Sequence, residues 1–248
     1  MERNAILPAL LRCTAMAFGI GVLPTMALAQ PGNDDMLAGL SALRTSDHAR
    51  AERSFTNAVA ERPDDARAWY YRGVNRLTMG DATGAIADLD RMLALDPGNG
   101  NGLLRRAEAH LMTGAADAAT TDLKTALAHY PDGPVAEHAL LQLGHQAILK
   151  GDFATANGHF DHLVSIAPDN ALGRCNRGIA LAAVHADAEA LGELDRALEL
   201  DPTLEQAHVH RAIVLLRNGR KPEACAALQR AHVLGDTSVE EMLLIYCE

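Results

Sequence analysis

Apolar residues recur along the chain in blocks with helical spacing. In each block an alanine is followed four residues later by a large apolar residue, and these large residues are Phe55, Leu89, Leu123, Phe160, Leu194 and Leu228. Another apolar or small residue comes three positions further on. Positions spaced by three and four lie on one face of an α-helix. No segment alternates apolar and β-branched with polar residues, so we predict helices and no strands.

A second helical segment precedes each of these blocks. Its signature is a small residue twelve positions before the alanine, at Gly39, Gly73, Ala107, Gly144, Gly178 and Ala212. Two packed helices need small side chains where their backbones approach most closely. Between the two segments, four of the six units carry a turn glycine, at Gly80, Gly114, Gly151 and Gly219. Glycine adopts the left-handed conformation that ends a helix without steric cost.

Prolines repeat at nearly constant spacing after the second segment of each unit. The intervals are 34, 34, 37 and 34 residues, between Pro63, Pro97, Pro131, Pro168 and Pro202. Proline ends a helix because it lacks a backbone N–H and restricts the residue before it. A fixed period of this length indicates a stacked helical repeat array.

The pattern resembles the tetratricopeptide repeat (TPR) family. The second unit is nearest the family pattern, with Trp69, Arg72-Gly73, Ala85, Leu89 and the ending Asp96-Pro97. Departures occur in the terminal units, where Asp35 stands in place of Trp69 and Asp236 in place of the proline. The resemblance implies an all-α solenoid of about six helix-turn-helix repeats. Terminal repeats are expected to be irregular because one side faces solvent.

We place the solenoid over residues 30–248. The repeats are assigned to residues 32–65, 66–99, 100–133, 137–170, 171–204 and 205–238, and the apolar tail, residues 239–248, is predicted to form a capping helix. Three extra residues, Pro134 to Ala136, lengthen the joint between the third and fourth repeats. Two interpretations of this insertion remain open, a hinge and a tolerated loop.

The first 29 residues have the features of a cleavable signal peptide. Arg3 and Arg12 precede an uncharged stretch with an apolar centre, which is followed by Ala27-Leu28-Ala29. Small residues at these positions suit a signal peptidase, so we expect cleavage after Ala29 and export to a bacterial periplasm. The alternative is an uncleaved anchor. We expect no membrane span in the mature chain.

Charge and composition restrict the classes of partner. The chain carries 22 Lys and Arg against 32 Asp and Glu, a net charge of −10. Nucleic-acid binding needs clustered basic residues, so this charge argues against a nucleic-acid partner. We therefore expect a protein or peptide partner in the cell envelope.

In the TPR family the first helix of each repeat lines a concave groove, and the resemblance places the partner there. By register, the groove would present Arg67, Tyr70, Val74, Leu104, Glu108, Leu111, Leu141, His145, Ile148 and Ile179. A mainly apolar groove suits an amphipathic helix or an extended apolar peptide. The alternative is that several of these residues pack only against neighbouring repeats or under the C-terminal tail.

Three cysteines remain after removal of the leader, namely Cys175, Cys225 and Cys247. Cys225 precedes the turn near Gly235 by about as many residues as Cys247 follows it, so a helical hairpin would bring the two together. We predict a disulfide between them, with free buried thiols as the alternative.

Candidate catalytic or metal groups are weak in this sequence. His138 and His145 lie seven residues apart, and His159 and His162 three apart, but no nearby cysteine or carboxylate completes a metal set. Carboxylates such as Asp88, Asp90 and Glu193 are expected on solvated helix faces. We predict no enzyme activity and no cofactor. The rival interpretations are a structural subunit that assembles through its own apolar surfaces and a histidine-based metal-binding protein.

Overall fold

A computed structural model describes residues 33–247 of the protein, and the predicted leader, residues 1–29, lies outside the described residues. The described range is helical throughout its regular structure. The first helices of the six units are α1 Asn33–Arg44, α3 Ala66–Thr78, α5 Gly100–Met112, α7 Gly133–Leu149, α9 Ala171–Ala183 and α11 Glu205–Arg217. The second helices are α2 His48–Glu61, α4 Ala82–Leu95, α6 Ala116–His129, α8 Phe153–Ile166, α10 Asp187–Leu200 and α12 Lys221–Leu234.

The C-terminal tail forms a short 3-10 helix, Thr237–Val239, followed by α13, Glu240–Cys247. The predicted capping helix is therefore present. It packs on α12 through Met242 and Leu243, while Leu244 and Ile245 point outward, 61% and 60% exposed. Within residues 33–247 no helix combines the length and the apolar character that crossing a bilayer requires.

Each pair of helices packs by inserting a large side chain against a small one, as predicted. The six large residues of the second helices are completely buried. A Cβ atom added to Gly144 would lie 2.3 Å from the Phe160 ring, and one added to Gly39 would lie 2.5 Å from the Phe55 ring. Glycine at these positions is thus a consequence of close helix approach.

The turns confirm one half of the glycine prediction and extend the other. All four turn glycines have positive φ angles, between 72° and 82°. In the first and fifth units the same conformation is adopted by Ser46, at φ 56°, and His185, at φ 61°. The left-handed turn is thus a property of the repeat, and glycine is the residue that adopts it with least strain.

The insertion, residues 134–136, is neither a hinge nor a loop. It forms the first turn of α7, which begins at Gly133 and is 17 residues long, and Ala136 is fully buried. Proline is favoured in the first turn of a helix because its missing N–H has no intrahelical acceptor there. The fourth repeat consequently begins before residue 137, at Gly133.

Arginine residues join the second helices of consecutive repeats. Arg106 of α5 donates to Asp122 of its own repeat at 2.7 Å and to Asp90 of the preceding repeat at 2.7 Å. Arg177 pairs in the same way with Glu193 and Asp161, each at 2.8 Å. We call this arrangement, an arginine between carboxylates 16 residues before and after it, the arginine clamp.

The clamp also appears in partial form in two other repeats. Arg72 pairs with Asp88 of its own repeat, and Arg211 pairs with Asp195 of the preceding one. Asp88 is only 2% exposed. The expectation that Asp88 and Glu193 lie on solvated faces was therefore wrong, because both carboxylates are held against arginines of the first helices.

Candidate functional site

The predicted groove residues all lie on first helices. They are distributed as Arg67, Tyr70 and Val74 on α3, Leu104, Glu108 and Leu111 on α5, Leu141, His145 and Ile148 on α7, and Ile179 on α9. α5 contacts both α3 and α7. The Nε2 atom of His145 lies 3.1 Å from Oδ1 of Asn176, which connects α7 to α9. We call the surface formed by these side chains the first-helix face.

Most of these side chains are half-buried, with one edge towards the core and another towards solvent. Leu141 and Ile148 pack against the cluster that contains Phe160, and Ile179 packs against the cluster that contains Leu194. Leu104 is different, because it is only 8% exposed and belongs to the core between repeats. The apolar residues therefore contribute both to packing between repeats and to the surface.

A polar strip crosses the first-helix face. Arg105 Nη1 donates to Glu108 Oε2 at 2.8 Å, and the pKa of Arg105 is raised by Glu108 and by the nearby Tyr70 hydroxyl. The pKa of His138 is lowered by burial and by Arg105, an effect that Glu108 opposes. The face is thus mixed in character, which corrects the expectation of a mainly apolar groove.

A cavity of about 150 Å³ opens at one end of this strip, between α3 and α5. Arg67, Tyr70 and Asn101 line it. Asn99 also lines it and is fixed by two hydrogen bonds, accepting from the Gly102 N–H at 3.0 Å and donating to Asp96 at 2.8 Å. The cavity has the volume of one amino-acid side chain and a polar rim with a fixed orientation.

Arg105 and Asn176 are the residues of this face that the groove prediction missed. They occupy equivalent positions in the third and fifth repeats, one residue after Leu104 and Cys175. The signal was present in the sequence, since the same position carries Tyr71 in the second repeat and His210 in the sixth. The groove was assigned along a single helical stripe, and the stripe is wider by one position.

The histidines do not converge on a metal site within residues 33–247. No group of three or more His, Cys, Asp or Glu side chains in this range has a geometry that could hold a metal ion. His145 instead contacts Asn176 and packs edge-on against the Phe160 ring. His159 lies on the second helix α8, away from His138 and His145 on α7.

The cysteines occupy two different environments. The structure joins Cys225 of α12 and Cys247 of α13 by a disulfide, which ties the capping helix to the last repeat. Cys175 is free and buried, and burial raises the pKa of its thiol to about 12. A thiol with such a pKa is protonated at neutral pH and is a poor nucleophile.

Sequence comparison identifies related repeats along the chain. Two family models, each described as tetratricopeptide repeat, match residues 36–100 and 188–238 in one case and 76–143 in the other, which together exceed half of the chain. The chain is 32% identical to the cellulose synthase 2 operon protein C of Komagataeibacter xylinus over 206 residues. This alignment covers 80% of the chain but only 15% of that relative.

Structural comparison agrees on the fold. The MamA protein matches 70% of this chain and 93% of its own, with a TM-score of 0.62 and 21% identity. YrrB, described as a TPR protein with an unusual peptide-binding site, matches 75% of this chain and 94% of its own, with a TM-score of 0.60 and 18% identity. With the family models covering most of the repeats, the chain belongs to the tetratricopeptide repeat family.

Proposed function

We propose that this chain is a non-catalytic interaction module that binds a peptide or helix of a cell-envelope protein on its first-helix face. The observation that carries the proposal is the half-buried, mixed surface of α3, α5 and α7. Its apolar edges, such as Leu111 and Ile148, offer hydrophobic contact, while Arg67 and Glu108 are exposed for polar recognition. Peptide recognition commonly combines these two kinds of contact.

Relatives support binding as the activity of this class of fold. YrrB carries a peptide-binding site by its description, and it shares the fold with this chain. Fold alone does not determine function, so the proposal depends on the side chains of this particular face. The cavity beside Tyr70 provides a fixed polar rim that would orient one side chain of the partner.

A charge-reversal variant tests the proposal without disturbing the core. Arg67→Glu with Glu108→Lys alters two exposed residues of the first-helix face and leaves the net charge unchanged. The matched control, Arg91→Glu with Glu189→Lys, makes the same changes at exposed positions of the second helices α4 and α10. We expect the first variant to lose a partner that wild type and control retain, measured by crosslinked capture from envelope extract. Equal capture by all three proteins would contradict the proposal.

We further propose export to the periplasm with cleavage after Ala29. The support lies in the basic, apolar and small-residue segments of residues 1–29, and the Cys225–Cys247 disulfide suits an oxidising compartment. The test is the intact mass of the protein isolated from the cell envelope. A mass that begins at Gln30 is expected, and a mass that still contains Met1 would contradict cleavage.

Self-assembly is a second candidate function with its own observation. The capping helix exposes Leu244, Ile245 and Tyr246 on one short segment, and Val233 of α12 is 73% exposed nearby in sequence. Contiguous exposed apolar residues favour association. A concentration-dependent molar mass in light scattering, abolished by Leu244→Glu with Ile245→Glu, would favour a self-assembling subunit.

A further inference from the structure

The arginine clamp is replaced by a different set of residues at the joint between the third and fourth repeats. Where other joints carry acid, arginine and acid, this joint carries Lys124, Leu143 and His159 at the corresponding positions. Acidic residues occupy the Lys124 position at the neighbouring joints, as Asp90 and Asp161. The charge at the start of the clamp is thus reversed, and the central cation is gone.

A cavity of about 200 Å³ lies at this joint, between α6, α7 and α8. Leu143 and His159 line it, so the cavity occupies the location of the missing clamp. Lys124 and Lys150 also line it. The whole chain contains only three lysines, and the third is Lys221 of α12, so two of the three are placed at this one cavity.

A buried amide at the cavity lacks a partner. Gln146 lines the cavity and is only 6% exposed. Its Oε1 accepts from the Thr120 hydroxyl at 2.8 Å, whereas its Nε2 has no hydrogen-bond partner among the described residues. A buried donor without a partner costs free energy, and a bound acceptor would remove that cost.

The positive groups of the cavity are incompletely neutralised. No carboxylate of residues 33–247 lies within 4 Å of the Lys124 ammonium, and Lys150 contacts only the fully exposed Asp117, at 3.7 Å. Asp152 lines the cavity, but its two oxygens accept from the backbone N–H and hydroxyl of Thr155, at 3.0 and 2.7 Å. Two lysines against one engaged aspartate leave one positive charge to be matched.

We infer that this cavity binds a single carboxylate supplied by a ligand, which takes the place of the clamp acid that this joint lacks. Lys124 and Lys150 provide the charge, and Gln146 Nε2 provides a directed hydrogen bond. One negative charge matches the remaining positive charge, whereas a phosphate dianion would exceed it and would face Asp152. The carboxylate belongs to a peptide, as an acidic side chain or as a C-terminus.

This second site lies between second helices and is independent of the first-helix face. Its failure would leave the proposed function intact, because the charge-reversal variant of Arg67 and Glu108 does not involve it. Equally, loss of partner binding on the first-helix face would not affect binding of a small carboxylate here. The two sites are therefore tested by separate variants.

The ring signals of His159 report on occupancy by nuclear magnetic resonance. Its pKa is lowered by burial, by Lys124 and by His162, while Asp152 opposes the shift. A bound carboxylate adds a negative charge beside the ring and raises this pKa. Titration with sodium acetate at constant ionic strength is expected to shift the His159 signals in a saturable way. Acetamide, which has the same shape without the charge, is expected to leave them unchanged.

Variants separate a specific site from general charge effects. Lys124→Met and Gln146→Leu are each expected to weaken acetate binding by about tenfold or more, the usual consequence of removing a hydrogen bond to a charged group. Lys221→Met removes the remaining lysine elsewhere and is expected to have no effect. Equal binding by Lys124→Met and wild type would overturn the proposal, as would a linear response like that of the exposed His232. Circular dichroism checks that each variant is folded.

Two peptides distinguish the sources of the carboxylate. Acetyl-Ala-Glu-Ala-amide carries only a side-chain carboxylate, and acetyl-Ala-Gln-Ala with a free C-terminus carries only a terminal one. Saturable binding of either peptide supports the site and identifies its source. Binding of inorganic phosphate in preference to acetate and both peptides would overturn the assignment of a carboxylate.

Discussion

Arg72 and Asp88 form a buried ion pair within the second repeat, with 12% and 2% of their side chains exposed. Two hydrogen bonds join them, at 2.7 and 2.9 Å, and Arg76 makes a further contact with Asp88 at 3.0 Å. Removing one member of such a pair leaves the other buried and uncompensated. Replacing both by apolar residues is often tolerated.

We predict that Asp88→Leu destabilises the protein by about 3 kcal/mol, because the buried Arg72 loses its carboxylate. The double variant Arg72→Leu with Asp88→Leu is expected to recover most of this loss. The fourth repeat already has an apolar residue, Leu143, at the position of Arg72. Urea denaturation of both variants measures the effect, and a double variant less stable than the single one would contradict it.

A second prediction at the residue scale concerns pH. Burial lowers the pKa of His210, so the folded state favours its neutral form. As the pH falls below the unfolded pKa of about 6.5, the unfolded chain binds the proton first and stability decreases. We expect His210→Gln to lose less stability than wild type between about pH 7.5 and pH 5.5. Urea titrations at both pH values test this, with the exposed His232→Gln as the control.

At the scale of elements, the helices and their turns follow closely from the sequence. The spacing of small and large residues predicts which faces meet, because close approach of two backbones excludes a Cβ, as at Gly144 beside Phe160. The left-handed turns at Ser46 and His185 could not be predicted in this way, since neither residue favours that conformation. Their neighbours in the repeat impose it.

The strain at His185 provides a prediction. Changing His185 to glycine is expected to stabilise the fifth repeat by about 1 kcal/mol, because glycine adopts positive φ without a steric penalty. Gly151→Ala is the opposite control, since φ is +74° there and an added Cβ meets no atom within 4 Å. It is expected to destabilise by a similar amount. Thermal denaturation of both variants measures the difference, and a destabilised His185→Gly protein would refute the argument.

The capping helix depends on its covalent link. None of its residues is buried, so its packing contributes little on its own. Closing a loop with a sequence separation of 22 is worth about 3 kcal/mol in the chain-entropy model. Cys247→Ser is therefore expected to release the cap and to increase hydrogen exchange in α13. Unreduced, denatured mature wild type is expected to contain one reactive thiol, and three would exclude the bridge.

The insertion before the fourth repeat shows the limit of a period-based prediction. A change of three residues in the period locates an irregularity but does not determine its structure. Pro134 allows a helix to begin around it, and Ala136 is small enough to be buried, so the extra residues extend α7. The same change of register accompanies the loss of the clamp at Leu143.

At the scale of the whole molecule, the array of repeats is predictable and its surfaces are less so. The helical stripe of the first-helix face was predicted, but its polar strip depends on contacts between repeats. Arg105 of one repeat acts on His138 of the next, and a pattern within one repeat does not reveal such a pair. The clamp spacing of 16 residues was visible in the sequence and is the signal that would have placed the buried carboxylates.

The central claim is that a partner protein contacts the first-helix face. Site-specific photocrosslinking tests it directly, with a photoreactive amino acid placed at Tyr70, Val74 or His145 in the exported protein. Matched probes at the exposed Arg91 and Glu189 of the second helices serve as controls. The account predicts that the first-helix probes form an adduct with one and the same envelope protein and that the control probes do not. Absence of an adduct from all three positions, or identical adducts from both faces, would contradict it.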